Sequence, residues 1–393
     1  MRKKLLSILA LFCLTVSSVW AQGPWTSGDC TLTLSDGVMT ISGSGAMADC
    51  ASATTQPWKD YRSSITSVEV EEGVTYIGKL AFYNCKNMTS VVFPSSLTGI
   101  GNYAFMYCSG LTSVTIPDNV KTIGNSSLSY CTGLTSLTIG NGVTTIDNLA
   151  FEFCSKLSSV VIPSSVKSIG HRAFYHCGKL GTVTFNSNPY IDTEVFNEIA
   201  ASATITMNLT ANAAGGANWM TFYNKNYSFE ADENTQVFKA ELSGTTITLN
   251  EVTDKIVDKG TAVVLKSTGN PVMTLTTSAS TNADANSLDG VSDAEGTTSD
   301  GTMFVLNYKE GTGVGFYRLQ SGKTLGVGKA YLTYDGALAP NFLGFGETTS
   351  INEELRIKNE EFATAPVFDL QGRRVAQPAK GLYIVNGKKV IIK

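Results

Sequence analysis

Charge and histidine are scarce in this chain. Of its 393 residues only 16% are charged, and the only histidines are His171 and His176. The formal net charge is −4, with positive residues concentrated at the two ends. A moderately acidic body excludes nucleic acid as partner, because phosphate binding needs a basic face. Two histidines five positions apart, with no third ligand in view, do not make a metal site. The sequence has no HExxH, nucleophile elbow, Walker loop or dinucleotide fingerprint, so no cofactor is expected and the chain does not read as an enzyme. Asp289, Asp293 and Asp300 lack the spacing of a calcium loop and read as a solvated turn. Long apolar runs are absent after the first 21 residues, so no transmembrane segment is expected.

Residues 1–21 read as a signal peptide. Arg2, Lys3 and Lys4 precede an apolar stretch from Leu5 to Val19, and Ala21 ends a plausible cleavage site. The expected location is therefore outside the cell, secreted or associated with the outer membrane at the surface. Abundant Ser, Thr, Asn and Gly suit β-rich extracellular modules.

The chain aligns with itself at a period of 23 residues. Ile77, Ile100, Ile123, Ile146 and Ile169 keep it, and so do Cys85, Cys108, Cys131, Cys154 and Cys177. Phe82, Phe105, Leu128, Phe151 and Phe174 form a third column. In one unit, Val114 and Ile116 alternate inward on a short strand while Ser113 and Thr115 point outward. Pro117 ends the strand, having no N–H to donate. A single unit cannot bury its apolar face, so the units must stack into a solenoid. Ile191, Val195 and Phe196 read as a sixth unit, one residue out of step.

The ends of the stack need covers. Upstream, residues 31–42 alternate around Asp36-Gly37, a hairpin signal, and Trp58 and Tyr61 follow as a lid for the first coil. Downstream, Trp219, Phe222 and Tyr223 are expected to cover the last coil. The repeat stops after Phe229. Short strands separated by Gly, Asp, Asn and Ser then suggest an antiparallel β-sandwich or barrel.

The fold class expected is thus mainly β: a solenoid of 23-residue leucine-rich repeats, an antiparallel β-sandwich-like domain and a short C-terminal β tail. The boundaries read as signal peptide 1–21, N-terminal β cap 22–64, solenoid with its C-terminal cap 65–229, β-rich domain 231–346, linker 347–365 and tail 366–393.

The run IGNYAFMYCSGLTSVTIP at 100–117 resembles the BspA-like class of leucine-rich repeats. The segment LTLSDGVMTISGSGAM at 32–47, with Pro57-Trp58, resembles the N-terminal cap of those proteins. The resemblance covers roughly residues 28–229 and implies an adhesive or recognition surface, often on bacteria living on host tissue. Unit three departs from the pattern, with Ser127 and Leu128 for Ala-Phe. The last 28 residues resemble the C-terminal sorting signal of Bacteroidetes type IX secretion substrates, through Asp369, Gly372 and Arg373, then Gly381, Tyr383 and the Lys-rich final strand. That resemblance implies export through an outer-membrane machine. As plain chemistry, Asn386-Gly387 is a tight hairpin turn.

Five cysteines fall in the repeat column, pointing the same way, and read as a buried thiol ladder. Cys177 beside His176 belongs to that column rather than to a nucleophile pair. Cys30 and Cys50 lie in the cap, where paired and free states both stand open. Two columns are candidates for ligand binding. One is the outward strand face, with Ser113, Thr115, Ser136, Thr138 and Ser159 at its centre. The other precedes each cysteine: Tyr107, Tyr130, Phe153 and His176, four aromatic rings in successive units. Such rings bury large area at low entropic cost, although packing on one another is the simpler reading. The expected partner is a host extracellular protein or another cell surface, with glycan as the alternative.

Overall fold

The structure is a computed structural model. It describes residues 21–345 apart from 215–216, 245, 294, 310–312 and 335–340, and, further on, strands Val367–Phe368, Arg374–Val375, Gly381–Val385 and Lys388–Ile392. The signal-peptide reading of 1–20, the linker reading and the sorting-signal residues Asp369, Gly372 and Arg373 lie outside the described residues. Among the described residues the chain is almost wholly β, with one short 3-10 turn at Lys59–Tyr61.

Each coil of the solenoid has three sides, and a different pattern of backbone hydrogen bonds makes each. On the first, strands such as Ser113–Thr115 and Ser136–Thr138 pair in parallel, with Ser113 opposite Ser136 and Thr115 opposite Thr138. On the second, strands of two to four residues stack in register, with Ile77, Ile100, Ile123, Ile146, Ile169 and Ile191 opposite one another in turn. On the third, alternate N–H groups divide their work. Phe82, Phe105 and Phe151 donate to the next coil, at Ala104 O, Ser127 O and Ala173 O (2.7, 2.7 and 2.8 Å). The N–H groups between them close turns on the carbonyl three residues back, as Cys85 does on Phe82 O. Every backbone donor of this bend named here is satisfied without a helix or an extended strand.

The same period carries the core. Phe82, Phe105, Phe151 and Phe174 are fully buried, with ring centroids 5.4 Å apart in the first pair and 5.1 Å in the second. Leu128 occupies the gap between the pairs. The five column cysteines are buried free thiols. Cys108, Cys131, Cys154 and Cys177 each donate to the carbonyl of the aromatic or leucine column one coil back, at 3.1, 3.3, 3.4 and 3.3 Å.

The N-terminal end is closed by side chains that take over backbone partners. Trp58 is fully buried, lies 6.3 Å from Phe82, and donates from Nε1 to Ala81 O at 2.8 Å. Gln56 donates to both Leu80 O and Ala81 O, and Arg62 Nε holds its other end at 2.7 Å. The hairpin Cys30–Ser35 and Val38–Gly43 extends the strand side, with Asp36 and Gly37 both at positive φ in its turn (52° and 82°). Cys30 and Cys50 are free, and Cys30 Sγ faces Gly45 O at 3.7 Å.

The solenoid does not end at a cap. Strand Thr204–Asn208 pairs in parallel with Thr182–Phe185 and antiparallel with Val272–Thr276. The solenoid sheet therefore runs across the 229/231 boundary read from sequence. A second sheet, ordered Asn212–Ala214, Ala217–Tyr223, Ala262–Ser267, Thr235–Ser243 and Thr246–Glu251, has core on both faces. Val263 and Leu265 join the solenoid core, whereas Ala262 and Val264 join a second core with Phe304 and Phe316. Burial on both faces explains why that strand reads as an unbroken apolar run. The third sheet, from Leu288–Gly290 to Phe342–Gly344, covers the far side of the second core.

The pleat also splits the aromatic residues expected to cover the last coil together. Phe222 enters the solenoid core, but Trp219 and Tyr223 pack on the second core, because alternate residues of a strand face opposite ways. Tyr227 and Phe229 pack on the solenoid side with Phe222, and the Tyr227 hydroxyl accepts a bond from Val195 N at 3.0 Å.

The chain divides into two compact units, the first ending at Phe345. In the second, the four described strands form an antiparallel sheet, with Val385 opposite Lys388 in the last hairpin. Gly381 and Tyr383 lie in its strand Gly381–Val385.

Candidate functional site

The bend side of the solenoid imposes an unusual backbone on the ring column. Tyr107, Tyr130, Phe153 and His176 have φ of 65°, 59°, 57° and 56°. This left-handed region suits Gly and Asn, and a bulky residue there is strained by about 1–2 kcal/mol. The first coil has Asn84 at the position, with φ of 65°. The next four coils carry rings. The strain is repeated four coils in a row, and stacking partly offsets it.

The rings stack along the solenoid axis. Tyr107 and Tyr130 are 4.7 Å apart and tilted, Tyr130 and Phe153 are 4.4 Å apart at 14°, and Phe153 and His176 are 4.3 Å apart at 20°. All four are half-buried. Faces are spent on one another, and the remaining exposure belongs to the column as a whole. The Tyr130 hydroxyl pKa is pushed up by burial, then by Glu152 and Tyr107. The sequence reading set mutual packing against ligand binding, and the geometry contains the packing.

A polar cluster closes the column at its C-terminal end, and the sequence reading missed it. His176 Nδ1 lies 2.7 Å from Glu198 Oε2, and the Tyr175 hydroxyl donates to Glu198 Oε1 at 3.1 Å. Arg172 Nε meets Glu194 Oε2 at 2.5 Å, with its guanidinium 4.7 Å from the Tyr175 ring. Hydrogen bonding to Glu194 holds the Arg172 charge more firmly than usual. The signal was the sixth coil's one-residue deletion. Arg172 with Glu194 and His176 with Glu198 are both 22 apart, the offset that makes positions equivalent there. His171, by contrast, turns to Thr193, 3.0 Å from its hydroxyl and carbonyl, so the two histidines do not converge.

The strand face lies on a different side of the coil. Ser113, Thr115, Ser136, Thr138 and Ser159 are all exposed there. Val92 and Val161, 60% and 54% exposed, share the outer column with Thr115 and Thr138, so the face is a flat hydroxyl array with apolar spots. The two candidate columns therefore remain two separate surfaces. No group of three or more metal-ligating side chains occurs among the described residues. Burial pushes the thiols of Cys85, Cys131 and Cys177 up to about 12, far from what a thiolate nucleophile needs.

The BspA type leucine rich repeat region matches this chain in six copies over residues 60–181 and 126–230. Residues 60–230 are thus similar to leucine-rich-repeat regions of the BspA type. Among solved structures, a leucine rich cell surface protein from Faecalibacterium prausnitzii is 29% identical, with 43% of this chain covering 56% of that one at a TM-score of 0.30. A leucine-rich repeat protein from Eubacterium ventriosum is 21% identical, with coverage of 48% and 78% and a TM-score of 0.25. The T. pallidum leucine rich repeat protein is 23% identical, with coverage of 43% and 84% and a TM-score of 0.32. No curated protein matches the chain. No helix among the described residues is long and apolar enough to cross a membrane.

Proposed function

We propose that this chain is an exported binding protein, secreted or held at the outer-membrane surface, that acts as an adhesin for a host or microbial surface protein. In this reading 1–21 is the export signal, the solenoid within 65–229 is the recognition element, and 366–393 is the sorting tail, with Asp369, Gly372, Arg373, Gly381 and Tyr383 its key residues. The observation that carries the reading is the half-buried ladder of Tyr107, Tyr130, Phe153 and His176, kept in a strained backbone across four coils. Its rings are already ordered by stacking, so a partner that covers their exposed edges pays little conformational entropy. The strand face around Ser113, Thr115, Ser136, Thr138 and Ser159 supplies a second, hydroxyl-rich surface. The same ladder supports glycan capture as the second reading, since aromatic surfaces also receive sugars.

The test uses the mature full chain, because the solenoid shares a sheet with residues 272–276 and fragments would cut it. Tyr107→Asn with Tyr130→Asn removes two rings while placing a residue suited to positive φ, so the fold should hold within about 1 kcal/mol. Binding to a panel of extracellular-matrix proteins should fall at least tenfold. Unchanged binding with an intact melting transition removes the ladder from the site. Binding confined to a glycan array selects the second reading.

A further inference from the structure

A groove of about 500 Å³ lies where the last coils meet the loops of the third sheet. Its walls are fixed by long-range hydrogen bonds. Asn188 Nδ2 donates to Tyr223 O at 3.0 Å and to Gly328 O at 3.1 Å, joining the sixth coil to a loop 140 residues further on. Gly328 sits at φ +75°, and a Cβ there would come within 2.5 Å of Asn188 Nδ2, so only glycine permits this approach.

The lining has three chemical parts. Val166, Leu209, Met220 and Val327 give an aliphatic wall, with no aromatic ring among the described lining residues. Lys167 and Lys329 supply two ammonium groups against Glu295, the one acid among the described lining residues. Among the described residues no carboxylate lies within ion-pair distance of either lysine. The protein crowding Lys329 disfavours its charge and lowers its pKa, although its side chain reaches solvent. Ser187 and Asn188 also line the groove, and Ser187 Oγ and Asn188 Oδ1 are buried without a hydrogen-bond partner. Ser165 Oγ, one coil earlier, shares that condition. Spare hydrogen-bonding capacity is thus concentrated at this junction.

We propose that this groove binds an aliphatic carboxylate, with Lys329 and Lys167 receiving the carboxylate and the Val166–Leu209–Met220 wall receiving the aliphatic body. The volume falls in the range of small-ligand sites, and an ammonium with no counter-ion among the described residues is the feature a carboxylate would complete. An aliphatic wall without a ring platform favours this class over a sugar acid. The C-terminus of a peptide ending in an aliphatic residue and a free aliphatic acid share the chemistry. The site is separate from the ring ladder, so it stands or falls independently of the adhesin reading.

The experiment is titration of the mature chain with N-acetyl-leucine, N-acetyl-leucine amide, an N-acetylated tripeptide ending in leucine with a free carboxylate, and glucuronate, followed by calorimetry or NMR. N-acetyl-leucine should bind, with the amide weaker by about tenfold or more. A further gain for the tripeptide identifies a peptide terminus as the source, and equal affinity identifies a free acid. Lys329→Met should lower the affinity for N-acetyl-leucine about tenfold while the melting transition and binding through the solenoid persist. Lys167→Met, further out on an exposed loop, provides a second variant should Lys329→Met fail to fold. Equal binding of acid and amide, preference for glucuronate, or no binding at millimolar concentration overturns the proposal.

Discussion

The solenoid and the layered sheets after it are built from similar β residues but by opposite pairing rules. In the solenoid each residue pairs with its equivalent one coil away, so Thr122 faces Thr145 and Ile123 faces Ile146. In the layered sheets each pair is unique, as in Val237 with Leu265 or Phe304 with Leu332. Repetition makes every core position visible several times over in the solenoid. Unique pairing hides each partner until the chain has folded. The two regions nonetheless share one sheet and, through Ala262–Ser267, one wall. How far they behave as one cooperative body is the question the comparison poses.

Deleting a ring on each side of that wall gives the largest expected effect. Phe105→Ala in the solenoid and Phe316→Ala in the second core each remove a fully buried ring, at about 3–5 kcal/mol. Hydrogen exchange should then show Phe105→Ala loosening neighbouring coils in both directions, with the effect fading along the stack. Phe316→Ala should loosen Met303–Lys309 and Gly313–Arg318 and leave strand Ser67–Val70 protected. A single transition that deprotects both regions equally in both variants breaks the distinction.

Alkaline pH separates the regions next, because the buried thiols belong to the solenoid. Burial raises Cys85, Cys131 and Cys177 from an ordinary value of 9.0 to about 12, and raises Cys108 and Cys154 well above 9.0. Below pH 9.0 folded and unfolded states both keep these protons, so the thiols add no pH dependence. Above it the unfolded chain loses protons that the folded chain retains, so stability falls as pH rises toward about 12. Each thiol steepens the fall by up to about 1.4 kcal/mol per pH unit. Urea melts across this range should show the slope, and Cys131→Ala should reduce it. A slope unchanged by that substitution contradicts the buried ladder.

The smallest effect sharpens the comparison within the repeat itself. Unit three has Ser127 where its neighbours have Ala104 and Ala150, and the Ser127 hydroxyl is buried with no hydrogen-bond partner. Ser127→Ala should stabilise the chain by about 1 kcal/mol, read as a higher urea midpoint at constant slope. A loss of stability instead would show that the hydroxyl is satisfied and that the unit tolerates polarity for a reason.

Legibility follows the same division. The isoleucine, phenylalanine and cysteine columns were readable because the 23-residue period repeats their environment, and the thiol ladder followed from it. The Asp36-Gly37 turn was readable because its backbone needs two residues that tolerate positive φ. Trp219 and Tyr223 were misplaced, since their facing depends on the strand pleat and on which sheet lies behind it. The ring column was visible as a pattern, but its strained backbone and its end cluster around Arg172 and Glu198 were not. The groove beside Lys329 had no signal in the chain at all, since its walls join segments as far apart in sequence as Asn188 and Gly328, 140 residues.

The sequence by itself determined the period, the register and the inward set of the solenoid. A stack of like units needs only nearest-neighbour contacts, and those are written once per repeat. Only the tertiary structure decided that the rings of Tyr107, Tyr130, Phe153 and His176 stack into one half-buried column, and that the solenoid sheet continues into Val272–Thr276. Those outcomes depend on distances between non-equivalent parts of the chain. No local pattern encodes them, because their energy appears only when both partners are in place.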